Sequence, residues 1–142
     1  MKKRPKLCDI QSIPLVENPE HIYNLLCEEG YNQINAGHDT FTLELHMNLN
    51  HGDQKVDGVT KFDESKILLE MSLNDSQARE TIIHELIHVI LEGIGLDERN
   101  FDGSTFFSSN EAVTNSLAKQ LMAIENLNPG LLSLIFDKKR YE

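Results

Sequence analysis

The feature that most constrains this chain is a strongly apolar helical stretch, residues 74–92, with two histidines and a glutamate in its middle. Asn74, followed three residues later by Gln77, resembles a capping box and predicts the start of the helix. Gly93 predicts its end, because glycine commonly follows the last helical residue. The apolar residues are Ile82, Ile83, Leu86, Ile87, Val89, Ile90 and Leu91. We therefore expect a buried helix that carries a small polar cluster.

The polar cluster is an HExxH motif formed by His84, Glu85 and His88. Side chains four residues apart share one face of a helix, so the two imidazoles can bind one metal ion. Glu85 lies about 100° around the helix from His84, close enough to hold a water molecule beside the metal. Zinc makes such a water more acidic, and Glu85 would take its proton as the water attacks a carbonyl. The motif therefore predicts metal-assisted hydrolysis with Glu85 as general base, the alternative being two ordinary histidines.

A catalytic zinc usually has three protein ligands, and no histidine follows His88. The best candidate for the third ligand is Glu111, near the start of a helix predicted from Ser108 or Ser109 to about Asn126. The intervening loop, predicted at residues 96–105, is long enough for that helix to pack beside the HExxH helix. Because Ser108 and Glu111 match the S-x-x-E capping box, a capping role for Glu111 stays open.

Two further residues are candidates for a part in the metal site. Glu92 lies four residues beyond His88, but it rotates away from His84 and is a poor third ligand. Asn115 lies one turn after Glu111 on the same face, where it could accept a hydrogen bond from a ligand imidazole. Such a partner would set the tautomer and orientation of the ring. An ordinary polar role for Asn115 is the alternative.

The remaining sequence predicts a small α+β domain with the order helix, three strands and three helices. The first helix, at about residues 19–29, is expected to start with Asn18 as N-cap and Pro19 as its first residue. Alternation of apolar and polar residues over Thr40–Asn50 predicts a strand with one buried face. The other predicted elements are strands near Gly58–Phe62 and Lys66–Met71 and a final helix at Gly130–Phe136.

Composition narrows the possible partners of the chain. The 142 residues include 13 Lys and Arg and 23 Asp and Glu, which gives a formal net charge of −10. An acidic surface repels phosphate, so we expect no direct binding to nucleic acid. No window approaches the ~18 apolar residues of a membrane span, so we expect no membrane association. Cys8 and Cys27 form no disulfide framework, which favours a reducing compartment and predicts a cytoplasmic protein.

The motifs resemble those of known metallopeptidases. HELIH followed by an NExxxN segment, residues 110–115, resembles the glutamate-zincin pattern of thermolysin-like peptidases, HExxH then NExxxD. The chain size and residues 79–91, RETIIHELIHVIL, are more similar to ImmA/IrrE-type metallopeptidases and to short phage and Gram-positive proteins of that kind. The resemblance covers roughly residues 56–125. Asn115 departs from the larger family, which has Asp there, and it cannot increase ligand basicity by its charge.

The resemblance implies a small zincin-like domain, with a short antiparallel sheet of about three strands packed against the HExxH helix and further helices. It implies one Zn²⁺ per chain, bound by His84, His88 and Glu111, with Glu85 as the general base. The whole chain, residues 1–142, would then be a single metallopeptidase-like domain. Its parts would include an N-terminal extension at 1–17 and a catalytic core at 56–125.

The function implied by the resemblance is a zinc metalloendopeptidase that hydrolyses peptide bonds of an intracellular protein or peptide. A basic regulatory protein is one candidate substrate, because the acidic chain would attract it. By the same resemblance, an extended substrate would pair with Lys66–Met71 or with its hairpin partner Gly58–Phe62. The candidates for stabilising the oxyanion are His46, His51, Tyr31, Arg99 and Tyr141.

Other functions remain as alternatives. A zinc-containing interaction module would bind a partner protein without cutting it, but a purely structural site has no use for Glu85. A SprT-like protease would require a third histidine and a basic DNA-binding segment, which the sequence lacks. A His-His-Glu ligand set also suits iron(II), although the ligand types favour zinc.

Overall fold

A computed structural model describes residues 18–95 and 110–136, excluding the side chains of residues 110–112. The helices are α1 (Ile22–Glu28), α2 (Asp75–Gly93), α3 (Asn110–Leu127) and α4 (Leu131–Phe136). The strands are β1 (Gln33–Asn35), β2 (Thr40–His46), β3 (Asn50–His51), β4 (Gln54–Lys55), β5 (Gly58–Lys61) and β6 (Lys66–Glu70). The α+β class is therefore confirmed. The predicted loop after α2, the predicted start of α3 at Ser108 or Ser109 and the extension at 1–17 lie outside the described residues.

The main sheet is mixed, and the expected antiparallel sheet of about three strands is wrong in both strand number and direction. Its four strands have the order β1-β2-β6-β5, and β2 and β6 run parallel. The chain passes from β2 through the β3–β4 hairpin to β5 before β6 returns beside β2. Alternation of apolar residues shows which face of a strand is buried, but it carries no information on which strand lies alongside.

Strand β2 confirms the predicted alternation over most of its length. Phe41, Leu43 and Leu45 are fully buried against the helices. The strand ends at His46, however, and Met47 is 50% exposed, contrary to the predicted buried face up to Asn50. Asn48 has a φ of 54°, a left-handed conformation that cannot continue an extended strand.

The first helix starts later than predicted. It begins at Ile22, with His21 as N-cap, and not at Pro19 after an Asn18 cap. The carbonyl of Asn18 accepts a hydrogen bond from the N–H of His21 (3.0 Å), which closes a turn before the helix. The N–H of Ile22 donates to Oδ1 of Asp75 at the start of α2 (2.7 Å). A contact between distant parts of the chain thus satisfies the first helical N–H, which a sequence pattern cannot indicate.

Helix α2 confirms the predicted capping box. Oδ1 of Asn74 accepts from the N–H of Gln77 (2.8 Å), and Oε1 of Gln77 accepts from the N–H of Asn74 (3.2 Å). One face of the helix packs on the sheet, with Ile82 and Val89 buried. Ile87 is 48% exposed, so the expected burial of the helix is confirmed on one side only. Within the described residues, no helix combines the length and apolar content needed to cross a bilayer.

Candidate metal centre

His84 and His88 lie one turn apart on α2, where the helix crosses the β5 edge of the sheet. Their Nε2 atoms are 3.2 Å apart, and the ring centroids are 4.9 Å apart at an interplanar angle of 70°. The helical repeat places the two side chains on one face, and both point the same ring nitrogen at one position. The structure thus brings the two predicted histidine ligands together.

The spacing of the two nitrogen atoms suits a shared metal ion. Two Zn–N bonds of about 2.0–2.1 Å that meet at a near-tetrahedral angle hold their nitrogens about 3.3–3.4 Å apart. The observed distance of 3.2 Å is close to that value. A direct hydrogen bond between a protonated and an unprotonated ring nitrogen would also give this distance. The geometry is therefore compatible with zinc but also with a simple histidine pair.

Glu85 is buried, with 3% of its surface exposed, and lies against strand β5. Its Oε1 atom accepts a hydrogen bond of 2.8 Å from the hydroxyl of Thr60. The second oxygen, Oε2, lies 3.9 Å from Nε2 of His84. The carboxylate is therefore held by the strand on one side and directed toward the histidines on the other.

A groove with a cavity volume of about 790 Å³ brings the motif residues together with the edge of the sheet. Its lining consists of His51, Val56, Gly58, Val59, Thr60, Lys61, Phe62, Asp63, Glu64, His84, Glu85 and His88. The HExxH side chains thus share one open concave surface with strand β5. A groove of this size can admit a segment of peptide chain.

Strand β5 is the edge of the sheet beside the motif, and within the described part of the chain no other strand pairs with its outer side. The carbonyl of Asp57 accepts a hydrogen bond from the N–H of Glu70 (2.7 Å). From this pair onward, every second residue of β5 is hydrogen-bonded to β6. Gly58 and Thr60 then direct their backbone N–H and C=O groups away from β6. Strand β6 is paired on both sides, so of the two predicted substrate-pairing strands only β5 is available.

The third ligand remains a prediction. Glu111 is the second residue of α3, which packs against α2, but its side chain lies outside the description. Among the side chains that the structure describes, no group of three or more His, Cys, Asp or Glu could hold a metal ion. Glu92 forms an ion pair of 3.2 Å with His38, and its rejection as third ligand stays a prediction. Asn115 is exposed and makes no hydrogen bond to His84 or His88 within the described residues, so its supporting role also stays a prediction.

The candidates for the oxyanion position separate clearly in the structure. His51 lines the groove. His46 instead bonds to Glu44 (3.1 Å), and the hydroxyl of Tyr31 donates to the carbonyl of Pro129. Arg99 and Tyr141 lie outside the described residues. His51 is thus the candidate that shares the groove with the motif.

The hairpin that carries His51 is anchored by Glu70. Oε1 of Glu70 accepts from the N–H of Leu49 (2.8 Å), and Oε2 accepts from the N–H (3.1 Å) and the hydroxyl (2.9 Å) of Ser72. Burial alone would raise the pKa of Glu70, but these hydrogen bonds and the charge of Lys55 lower it below its ordinary value. The ionised carboxylate thus holds the base of the hairpin in place.

Two residues at the site were not found from the sequence, Thr60 and Gly58. A Cβ atom on Gly58 would lie 2.7 Å from Cγ2 of Thr81 and 3.3 Å from Oε2 of Glu85, so the strand can approach α2 only with glycine there. A glycine in a predicted strand is a general sign of close backbone approach. Thr60 has no such sign, because threonine is common in strands.

Comparisons with protein-family models, curated proteins and solved structures found no match to this chain. The resemblance to zincins therefore rests on the motif residues themselves and on their spacing.

Proposed function

We propose that this protein is a zinc-dependent metallopeptidase that hydrolyses peptide bonds of an intracellular protein or peptide. The observation that carries this proposal is the pair of Nε2 atoms of His84 and His88, 3.2 Å apart, beside the buried Glu85. All three side chains line a groove at the open edge of a sheet. A zincin-like identity of the α+β fold is part of the same proposal.

His84 and His88 would hold the zinc ion, with Glu111 as the third protein ligand. When bound, zinc would polarise the peptide carbonyl and increase the acidity of water in the groove. The set of two imidazoles and one carboxylate is one that catalytic zinc uses, and it also suits iron(II). Asn115 would support one of the ligand imidazoles from α3.

Glu85 supplies the general base. Its Oε2 atom would accept a proton from the water that attacks the carbonyl carbon, and would pass that proton to the amide nitrogen as the C–N bond breaks. The water's oxygen then remains on the new carboxyl group, and the proton leaves with the new amine. His51, in the same groove, is the candidate to donate a hydrogen bond to the negative oxygen of the transition state.

An extended substrate would lie along β5. Pairing with the outward backbone groups of Gly58 and Thr60 would fix the register of the peptide beside Glu85. The net charge of −10, together with the exposed Asp63 at the groove, favours substrates rich in Lys and Arg. This charge supports the proposal of a basic regulatory protein as substrate.

The second candidate function is a zinc-containing interaction module that binds a partner in the same groove without cutting it. The exposed strand edge is compatible with this function, since β-strand addition needs no catalysis. Glu85 favours the peptidase, because a buried carboxylate directed at the histidines adds nothing to peptide binding.

The first experiment measures the zinc content of untagged protein purified without chelator, for the wild type and for Glu111→Ala. Lys119→Ala, an exposed charge on the same helix, is the control. We expect one zinc per chain in the wild type and the control, and little in Glu111→Ala. Zinc retained in Glu111→Ala would return that residue to a capping role. A wild type that takes up no zinc even when supplied with it would overturn the metallopeptidase proposal.

The second experiment incubates zinc-loaded protein with internally quenched peptides rich in Lys and Arg. We expect hydrolysis by the wild type and a large loss in Glu85→Gln. Zinc binding without hydrolysis by either protein would favour the interaction module.

A further inference from the structure

The hydroxyl of Thr60 makes the hydrogen bond that holds the buried carboxylate of Glu85 against β5, 2.8 Å from Oε1. The two residues are separated by 25 positions in the sequence and come together only because β5 packs on α2. Gly58, two residues before Thr60, leaves room for Oε2 at 3.3 Å from where a Cβ atom would stand. The strand thus controls both oxygens of the carboxylate, one by a hydrogen bond and one by the space it leaves.

We propose that Thr60 is a positioning residue that orients Glu85 for proton transfer, an inference that rests on the proposed peptidase function. A carboxylate can rotate about its terminal bond, which exchanges its two oxygens. With Oε1 engaged by the hydroxyl, Oε2 is the oxygen that faces the histidines, 3.9 Å from Nε2 of His84. Proton transfer depends steeply on this placement, since a catalytic base must be within hydrogen-bond reach of its proton.

The same residue also connects the base to the substrate. The backbone of Thr60 faces outward at the open edge, while its side chain faces α2. A peptide paired with β5 would therefore be held by the backbone of the residue whose hydroxyl sets Glu85.

Two variants test whether the Thr60 hydroxyl orients Glu85 or only gives its buried oxygen a hydrogen-bond partner. Thr60→Val removes the hydroxyl but keeps the shape, and Thr60→Ser keeps the hydroxyl. For Thr60→Val we expect kcat to fall about 10- to 100-fold, the range measured when supporting hydrogen bonds are removed, with KM and zinc content unchanged. Thr60→Ser should recover most of the loss. In the Glu85→Gln background, Thr60→Val should cause little further loss, because there is no base left to orient.

A measurement independent of hydrolysis accompanies these assays. The thermal unfolding midpoints of the wild type, Thr60→Val, Glu85→Ala and the double variant form a cycle that detects the contact, because alanine, unlike glutamine, offers no acceptor to the Thr60 hydroxyl. We expect coupling, with the double variant less destabilised than the sum of the single variants. Absence of coupling would overturn the contact and with it the proposal.

The outcomes distinguish this inference from the proposed function. A wild type that hydrolyses the peptides, with Thr60→Val equally active, would overturn the role of Thr60 and leave the peptidase intact. A fall in kcat that Thr60→Ser does not recover would also overturn it, since the shape of the side chain and not its hydroxyl would then matter. A wild type that hydrolyses nothing would overturn the proposed function and the positioning role with it.

Discussion

Two buried glutamates show how differently this fold treats the same side chain. Glu70, 9% exposed, uses both oxygens for hydrogen bonds to Leu49 and Ser72. Glu85, 3% exposed, is more deeply buried but has one oxygen bonded to Thr60 and the other directed at His84. Depth of burial therefore does not distinguish a carboxylate that stabilises the fold from one that is available for chemistry. The two glutamates differ in the second oxygen, which is hydrogen-bonded in Glu70 and directed at His84 in Glu85.

A third buried carboxylate follows the pattern of Glu70. Oε1 of Glu44 lies 3.1 Å from Nε2 of His46, and Oε2 lies 3.2 Å from Nζ of Lys66. Burial tends to raise the pKa of Glu44, but the hydrogen bonds and charges of Lys66 and His46 lower it below the ordinary value. A carboxylate whose two oxygens both have protein partners stabilises the fold. One that keeps an oxygen facing a groove is available for chemistry.

The largest expected effect is on catalysis by Glu85. Glu85→Gln keeps an acceptor for the Thr60 hydroxyl but removes the base, so kcat should fall about 10²- to 10⁴-fold. The free energy of unfolding should change by less than about 1 kcal/mol, since the variant removes a buried charge and preserves the shape. Steady-state hydrolysis and urea unfolding check both halves of the prediction.

The control for this prediction is Glu28→Gln, the same change at an exposed position at the end of α1. It should leave hydrolysis and stability unchanged. If Glu85→Gln were as active as this control, Glu85 would be a structural residue like Glu70. The contrast drawn between the two glutamates would then be wrong.

A smaller effect, on stability, is expected at Glu70. In Glu70→Gln one oxygen becomes an amide donor that faces the N–H of Leu49 or the groups of Ser72, which leaves a buried donor unsatisfied. We expect a loss of about 1.5–3 kcal/mol in the free energy of unfolding, measured by urea denaturation. kcat of the folded protein should change much less than in Glu85→Gln. An unchanged stability with a large loss of kcat would exchange the roles assigned to the two glutamates.

The smallest expected effect is the pH dependence of this stability difference. The pKa of Glu70 is lower in the folded chain than its ordinary value of 4.5, so its contribution is fully present above about pH 4.5. As the pH falls below that value toward the folded pKa, protonation removes the contribution. The unfolding midpoints of the wild type and Glu70→Gln should therefore converge in acid. A difference that stays constant from pH 7 to pH 3 would contradict an ionised Glu70 as the anchor of the hairpin.

The sequence predicted those parts of the fold that depend on neighbouring residues. Asn74 and Gln77 cap α2 as expected, and Phe41 and Leu43 alternate into the core. The predicted start of α1 was wrong because a contact with a distant part of the chain decided it. Asp75 satisfies the first N–H of α1 at Ile22, and the helix starts there and not at Pro19. Strand β1 has three residues, too few for a periodic pattern to be visible.

The candidate site divides in the same way. The sequence by itself determined that His84 and His88 share a face and that Glu85 lies beside them, because the helical repeat relates residues four positions apart. Only the tertiary structure decided which strand edge is open, which candidate joins the groove as His51 does, and that Thr60 holds Glu85. Those relations depend on which distant strands and helices pack together, and no local pattern of residues encodes such a pairing.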